Sequence, residues 1–278
     1  MKRPRQLSIC AALLALLLLR ANGATQDAPK QLSGAEEIAA QLKSSPASIA
    51  LQQQAFDQGN NFYRDKHIEE ARKCYEALMD SGVRDGALYF NLGNTYAALG
   101  ENGLAVWAYE KALRILPRDE ALRRNLARLQ PKAEVSAPFF LWAPFVKFYD
   151  SFTLNEWLLI TDLFFIFGSL FLTAHLLRRH GALAAWLRRL VWLCAIALVV
   201  SGCFLAAKIY STEFVTRAVV VGDKVLARSG PGENFLESLE LSAGMGVEQL
   251  ELPRDHWVKI KLDTGHSGYV PAETIRMI

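Results

Sequence analysis

Cysteine and histidine are scarce, with four and five in 278 residues, and neither falls into a paired metal-ligand spacing. That excludes a disulfide framework and a structural zinc site of the Cys/His kind. Cys10 lies in an N-terminal apolar run, Cys74 stands alone, and Cys194 and Cys203 are too far round a helix to share a face. Cys74 is expected to be a small buried hydrophobe. Charge imbalance is also missing: the net charge of +3 is too small to argue for nucleic acid. No nucleophile–base pairing stands out, so the sequence points to a non-enzyme with no cofactor.

What the chain does have is long apolar runs. Trp157–Leu177 and Leu190–Ala207 flank a short arginine-rich segment. At 1.5 Å per helical residue they span about 31 and 27 Å, near the thickness of a bilayer's hydrocarbon core. They predict a transmembrane hairpin, with helices over 157–177 and 190–210 and a loop over 178–189. Arg178, Arg179, Arg188 and Arg189 crowd the loop, whereas the outer ends carry only Lys147 and Lys208 close by, mixed with Asp150, Glu156 and Glu213. The positive-inside rule therefore places the loop in the cytoplasm and both flanking regions outside. The N-terminus agrees. Lys2, Arg3 and Arg5 precede the apolar run Leu7–Leu19 and small residues around Gly23, the layout of a signal peptide over 1–23.

Residues 24–51 read as a flexible segment with a short helix at Ala35–Lys43. An internal repeat follows. Gly59, Phe62, Ala71 and Tyr75 return as Gly93, Tyr96, Ala105 and Tyr109, each at a spacing of 34 residues. That is the period of the tetratricopeptide helix–turn–helix unit. Two units are assigned, 52–85 and 86–119, with a capping helix that extends the region to 130. Small residues let paired helices approach, aromatics fill the gaps, and Pro117 ends the second helix. Register puts Asn60, Arg64, Asn91, Asn94, Arg124, Asn125 and Arg128 on or near the concave face, the candidate peptide groove. Asn60 and Asn91 match asparagines of a carboxylate clamp, but Phe56 and Ala121 stand at its lysine positions.

Residues 131–156 are rich in aromatics and are expected at the outer membrane–water interface, with partner docking as the rival reading. Asp162 falls inside the first span, where an acid is a functional hypothesis by default. It could serve a transporter or enzyme, or bond to another subunit's helix. After Tyr210 the pattern changes to short strands bounded by Gly, Pro, Asp and Asn. Val258, Ile260 and Leu262 alternate with Lys259 and Lys261, the period of a half-buried strand. Six strands over 215–278 predict a small closed barrel. Arg228-Ser229-Gly230-Pro231-Gly232, Trp257–Ile260 and Gly268-Tyr269-Val270-Pro271 make this region resemble the bacterial SH3-like domain. His256 and His266 are expected at the surface rather than as ligands.

The fold class is thus a multidomain membrane protein: α-helical solenoid, transmembrane hairpin and small all-β barrel. This order of parts resembles the BatE-type proteins of aerotolerance operons, most specifically in Leu88–Tyr96, Tyr109–Pro117 and Arg228–Gly232. The resemblance implies a complex with von Willebrand A-type membrane proteins and a MoxR-type ATPase. The function expected is an inner-membrane envelope scaffold with periplasmic modules, whose partners are envelope proteins and membrane lipid. The alternative is a cell-wall sensor binding peptidoglycan.

Overall fold

The computed structural model describes residues 34–130, 143–178 and 180–278. The signal peptide expected over 1–23, the stretch 24–33 and the first part of the aromatic segment, 131–142, lie outside the described residues.

Helices α1 (Gly34–Ser44) to α6 (Glu120–Leu129) pack in succession, with α2 at Ile49–Arg64, α3 at Ile68–Asp80, α4 at Gly86–Leu99 and α5 at Asn102–Ile115. Their ends are written in the sequence. Asp85 accepts from the backbone N–H groups of Ala87 and Leu88 at 2.9 and 3.1 Å to start α4. Asp119 does the same for α6, at 2.8 and 3.0 Å from Ala121 and Leu122. Each satisfies amides that the first helical turn leaves without partners. Gly100 ends α4 at φ +81°, a left-handed conformation that glycine adopts without a side-chain clash. Inside, glycine meets tyrosine: a Cβ on Gly59 would lie 2.7 Å from the Tyr75 ring, and one on Gly93 would lie 2.6 Å from the Tyr109 ring.

The short helix expected at Ala35–Lys43 is present as α1, and the residues from Ile49 on, expected to be flexible, are helical as well. α1 buries Ala35, Ile38 and Leu42 in the helical core, and α2 begins before residue 52, where the Ser48 hydroxyl accepts from Leu51 N–H at 3.4 Å. An amphipathic α1 needs a partner surface, and α3 supplies one.

Two helices, α8 (Leu154–Leu177) and α9 (Ala182–Ile209), are long and apolar enough to cross a membrane. They pack as an antiparallel hairpin. Both start earlier than expected. Thr153 and Glu156 form a capping box that opens α8. The twelve-residue loop expected over 178–189 shrinks to a tight turn, because Ala182–Leu187 are helix formers and Gly181, at φ +96°, reverses the chain. Arg188 and Arg189 therefore project from the first turns of α9. A short helix α7 (Ala143–Asp150) precedes α8, and a π-turn, Tyr210–Phe214, follows α9.

The C-terminal strands are β1 (Arg217–Val220), β2 (Lys224–Arg228), β3 (Glu237–Ser242), β4 (Gly246–Gln249), β5 (Trp257–Lys261), β6 (Ser267–Pro271) and β7 (Ile275–Met277). All pairings are antiparallel, in the order β3-β2-β6-β5-β4-β1-β7. The sheet is not a hydrogen-bonded closed ring: β3 and β7 are its edges. β7 escaped the sequence reading because three residues carry no readable alternation. It pairs with β1 in the register Ala218↔Met277 and Val220↔Ile275.

β1 explains how the sheet joins the helices. Ala218 and Val220 point into the sheet core, while Val219 points the other way into the helical core, so Ala218, Val219 and Val220 are all buried. A strand buried on both faces reads as a continuous apolar run, which is what Ala-Val-Val is.

Candidate functional site

The candidate groove is built from two copies of one polar network. In the first, Asn60 Oδ1 accepts from Tyr75 OH at 2.8 Å and from Asn91 Nδ2 at 2.9 Å. In the second, Asn94 Oδ1 accepts from Tyr109 OH at 2.7 Å and from Asn125 Nδ2 at 3.1 Å. Asn60 and Asn94 occupy equivalent repeat positions, as do Tyr75 and Tyr109, and Asn91 and Asn125. Each network ties the first helix of one hairpin to its own second helix and to the first helix of the next hairpin. The repeated asparagine is thus a clamp between helices as well as a surface group.

A primary amide has two donors and one carbonyl with two lone pairs. The networks use both lone pairs on Asn60 and Asn94 and one N–H on Asn91, while Asn125 Nδ2 also reaches the Tyr109 hydroxyl at 3.4 Å. The Asn91 and Asn125 carbonyls, and amide hydrogens on Asn60, Asn91 and Asn94, stay available to a ligand at these half-buried positions. A row of amides at fixed spacing suits the backbone of an extended peptide. Burial pushes the Tyr109 hydroxyl up to about 12, and the Tyr75 hydroxyl rises for the same first cause. Both therefore stay protonated and donate.

The three arginines fall differently. Arg124 and Arg128 are exposed on α6, and Arg128 is near enough to Tyr109 to act on it electrostatically. Arg64 is exposed at the end of α2 and donates to Asn61, so it belongs to that helix terminus. The structure links the four asparagines in pairs and sets Arg128 near Tyr109; Arg124 is exposed on the helix that carries Asn125, and Arg64 is engaged locally. Sequence reasoning found the asparagines but missed their tyrosine partners. The signal was present, since Asn and Tyr recur at the same spacing of 34 residues.

The opposite side of the helical unit was also missed. There α5 carries the sheet. Trp107 Nε1 donates to Met277 O at 2.6 Å, and its ring lies under Arg276 at 5.2 Å and beside Lys111 at 5.9 Å. Arg114 donates to the Ile278 main-chain oxygen at 3.1 Å. Gly103 allows the backbones to touch, for a Cβ there would lie 2.6 Å from Val221 Cα. α5 thus covers the β7 edge, which would otherwise present free strand groups.

Of the remaining candidates, Asp162 is exposed on the outside of the hairpin, and His256 and His266 are exposed in the sheet region. The described part of the aromatic segment folds onto the hairpin: Trp157 stacks on Phe204 at 4.9 Å and meets Phe152 at 5.3 Å. Arg118 joins the helical unit to this cluster, 3.1 Å from Glu156 and 4.7 Å from the Phe152 ring. No protein-family model matches the chain, and no curated protein matches it.

Proposed function

We propose that this protein is a non-enzymatic, membrane-anchored scaffold that holds an extended segment of a partner protein in the groove of a tetratricopeptide unit. The observation that carries the reading is the row of half-used amides on Asn60, Asn91, Asn94 and Asn125, held in register by tyrosines and flanked by Arg124 and Arg128. Peptide recognition needs pre-positioned donors and acceptors, because a rigid site loses less entropy on binding. In this reading the C-terminal sheet is an SH3-like domain that offers a second surface in fixed orientation. Two weak sites on one body gain from effective concentration. Arginines at the turn between α8 and α9 support a cytoplasmic turn with both modules in the periplasm of a bacterial inner membrane. The BatE-like order of parts supports envelope partners of the von Willebrand A type.

The test is site-specific photocrosslinking in cells of the protein's own source, with the crosslinker at Arg124 or Arg128 and a control at Lys261. A discrete envelope protein crosslinked from the groove positions and not from Lys261 is the expected result. Crosslinks to wall fragments alone, or none above the control, would defeat the proposal. A cysteine at His180 that is shielded from an impermeant maleimide, beside one at Thr264 that is labelled, is the outcome expected for the topology.

A further inference from the structure

A second site lies away from the groove, where the helical unit meets the membrane hairpin. A cavity of about 790 Å³ opens there, bounded by α5 and α6, by α7, by the start of α8, by the end of α9 and by Arg217 at the start of β1. That volume is ample for a lipid headgroup. Five cations line it: Arg114, Arg123, Lys147, Lys208 and Arg217, of which Arg123 pairs with Glu120 at 3.6 Å. Among the described residues, none of the other four makes an ion pair with an Asp or Glu side chain. Arg114 is committed to the Ile278 main-chain oxygen, and Lys208 lies over the Tyr149 ring at 4.8 Å. The neighbouring acids are Glu110, Glu120 and Asp150. Asp150 faces Lys208, and Glu110 faces Arg114 and Arg217.

We propose that this cavity binds the phosphate headgroup of an anionic lipid. Three observations converge on it. Cations from five separate elements are brought to one cavity that holds three carboxylates, and the excess of positive charge favours the entry of an anion. At Arg114, burial and then the nearby Arg217 push the guanidinium down. The cavity also stands at headgroup depth, since Lys208 in the last turn of α9 and Leu154, the first residue of α8, both line it. Cationic side chains at the ends of apolar spans seek that layer. Finally, its outer wall is α7, whose Phe145 and Phe148 are 60% and 52% exposed beside the hairpin, as expected of rings that enter the acyl boundary. A lipid phosphate would bridge the helical unit to the membrane and fix the groove's height above it. The inference is independent of what occupies the groove.

Inorganic phosphate shares the chemistry, so the test must separate the two. The full-length protein is purified in detergent with equal amounts of phosphatidylglycerol and phosphatidylcholine, and retained lipid is read by native mass spectrometry. Preferential retention of phosphatidylglycerol is expected, and each lost cation should reduce it by about fivefold. Lys208→Gln with Arg217→Gln should bring the two lipids near parity, whereas Arg188→Gln, at the opposite end of α9, should change nothing. Asp150→Asn should act in the opposite direction and increase retention, which keeps the test open if the double variant misfolds. Equal retention of both lipids by the parent would overturn the proposal. So would a loss with Arg188→Gln as large as with the double variant. Binding of inorganic phosphate without any preference for the anionic lipid would overturn the lipid assignment.

Discussion

The two helical repeats share their inner faces and differ on their outer ones. Helices α3 and α5 are equivalents, and on the inside they agree: Ala71 and Ala105, Tyr75 and Tyr109 are all buried. On the outside, Glu69, Arg72 and Lys73 of α3 correspond to Gly103, Val106 and Trp107 of α5. The α3 residues make ion pairs, Arg72 with Glu69 at 2.7 Å and with Glu101 at 3.1 Å, and Lys73 with Glu36 of α1 at 2.8 Å. The α5 residues are uncharged and buried under β1 and β7. One repeat therefore keeps a partly solvated face, and the other has given up its charges to receive a sheet. Period fixes the hairpin; departures from the period fix what docks on it.

The strongest way to break this contrast is to give α5 the residue that α3 has. Gly103→Glu would drive a side chain toward Val221, with a Cβ 2.6 Å from a backbone atom that cannot rotate away. Overpacking and a buried charge together should cost more than about 3 kcal/mol and undock the sheet. Limited proteolysis of the full-length protein should then cut between α9 and β1 in the variant and leave the parent intact there. Unchanged protection and melting temperature would show that the seam is not a docking surface.

Trp107→Ala comes next. It removes the indole hydrogen bond to Met277 and the ring beneath Arg276, at an expected cost of about 3–5 kcal/mol in thermal unfolding. Lys73→Ala at the equivalent position removes one solvent-screened ion pair and should shift the melting temperature far less than Trp107→Ala does. Comparable losses for the two would mean that the outer faces carry similar roles.

The inner faces give the converse test. Tyr75→Phe and Tyr109→Phe each delete one hydroxyl from matching asparagine networks. Each should cost about 0.5–1.5 kcal/mol, and the two should agree. A large inequality would show that the networks match in geometry only.

Legibility in the sequence follows the same division. Helix pairs were readable because Gly59, Gly93, Tyr75 and Tyr109 must recur wherever a hairpin closes on itself. Apolar helices were readable from composition, although their starts were not, since capping by Thr153 and Glu156 and the turn at Gly181 depend on a few polar atoms and one φ angle. The groove asparagines were legible by register, but their mutual hydrogen bonds were not. Docking on α5 left almost no mark. Trp107 at a single position and Ala218-Val219-Val220 without alternation are its traces, and both also fit an ordinary core. The cavity between α5, α7 and α9 was invisible, because Arg114, Arg123, Lys147, Lys208 and Arg217 come together only through tertiary packing.

The smallest expected effect sits at the edge of that seam, on Glu110. Burial raises its carboxyl above the ordinary range, although Arg217 and Arg114 oppose the shift. A raised folded value means that the native chain holds this proton to higher pH than the unfolded chain does. The contribution is therefore most favourable below the unfolded value, about 4.3, and is lost as pH rises through the folded value. Glu110→Gln keeps the shape and abolishes the titration. The variant should melt above the parent at neutral pH, and that advantage should shrink as pH falls toward 4 in matched thermal scans. A variant less stable than the parent at neutral pH would mean that attraction to Arg114 and Arg217 outweighs the desolvation, and that the acid holds the seam together.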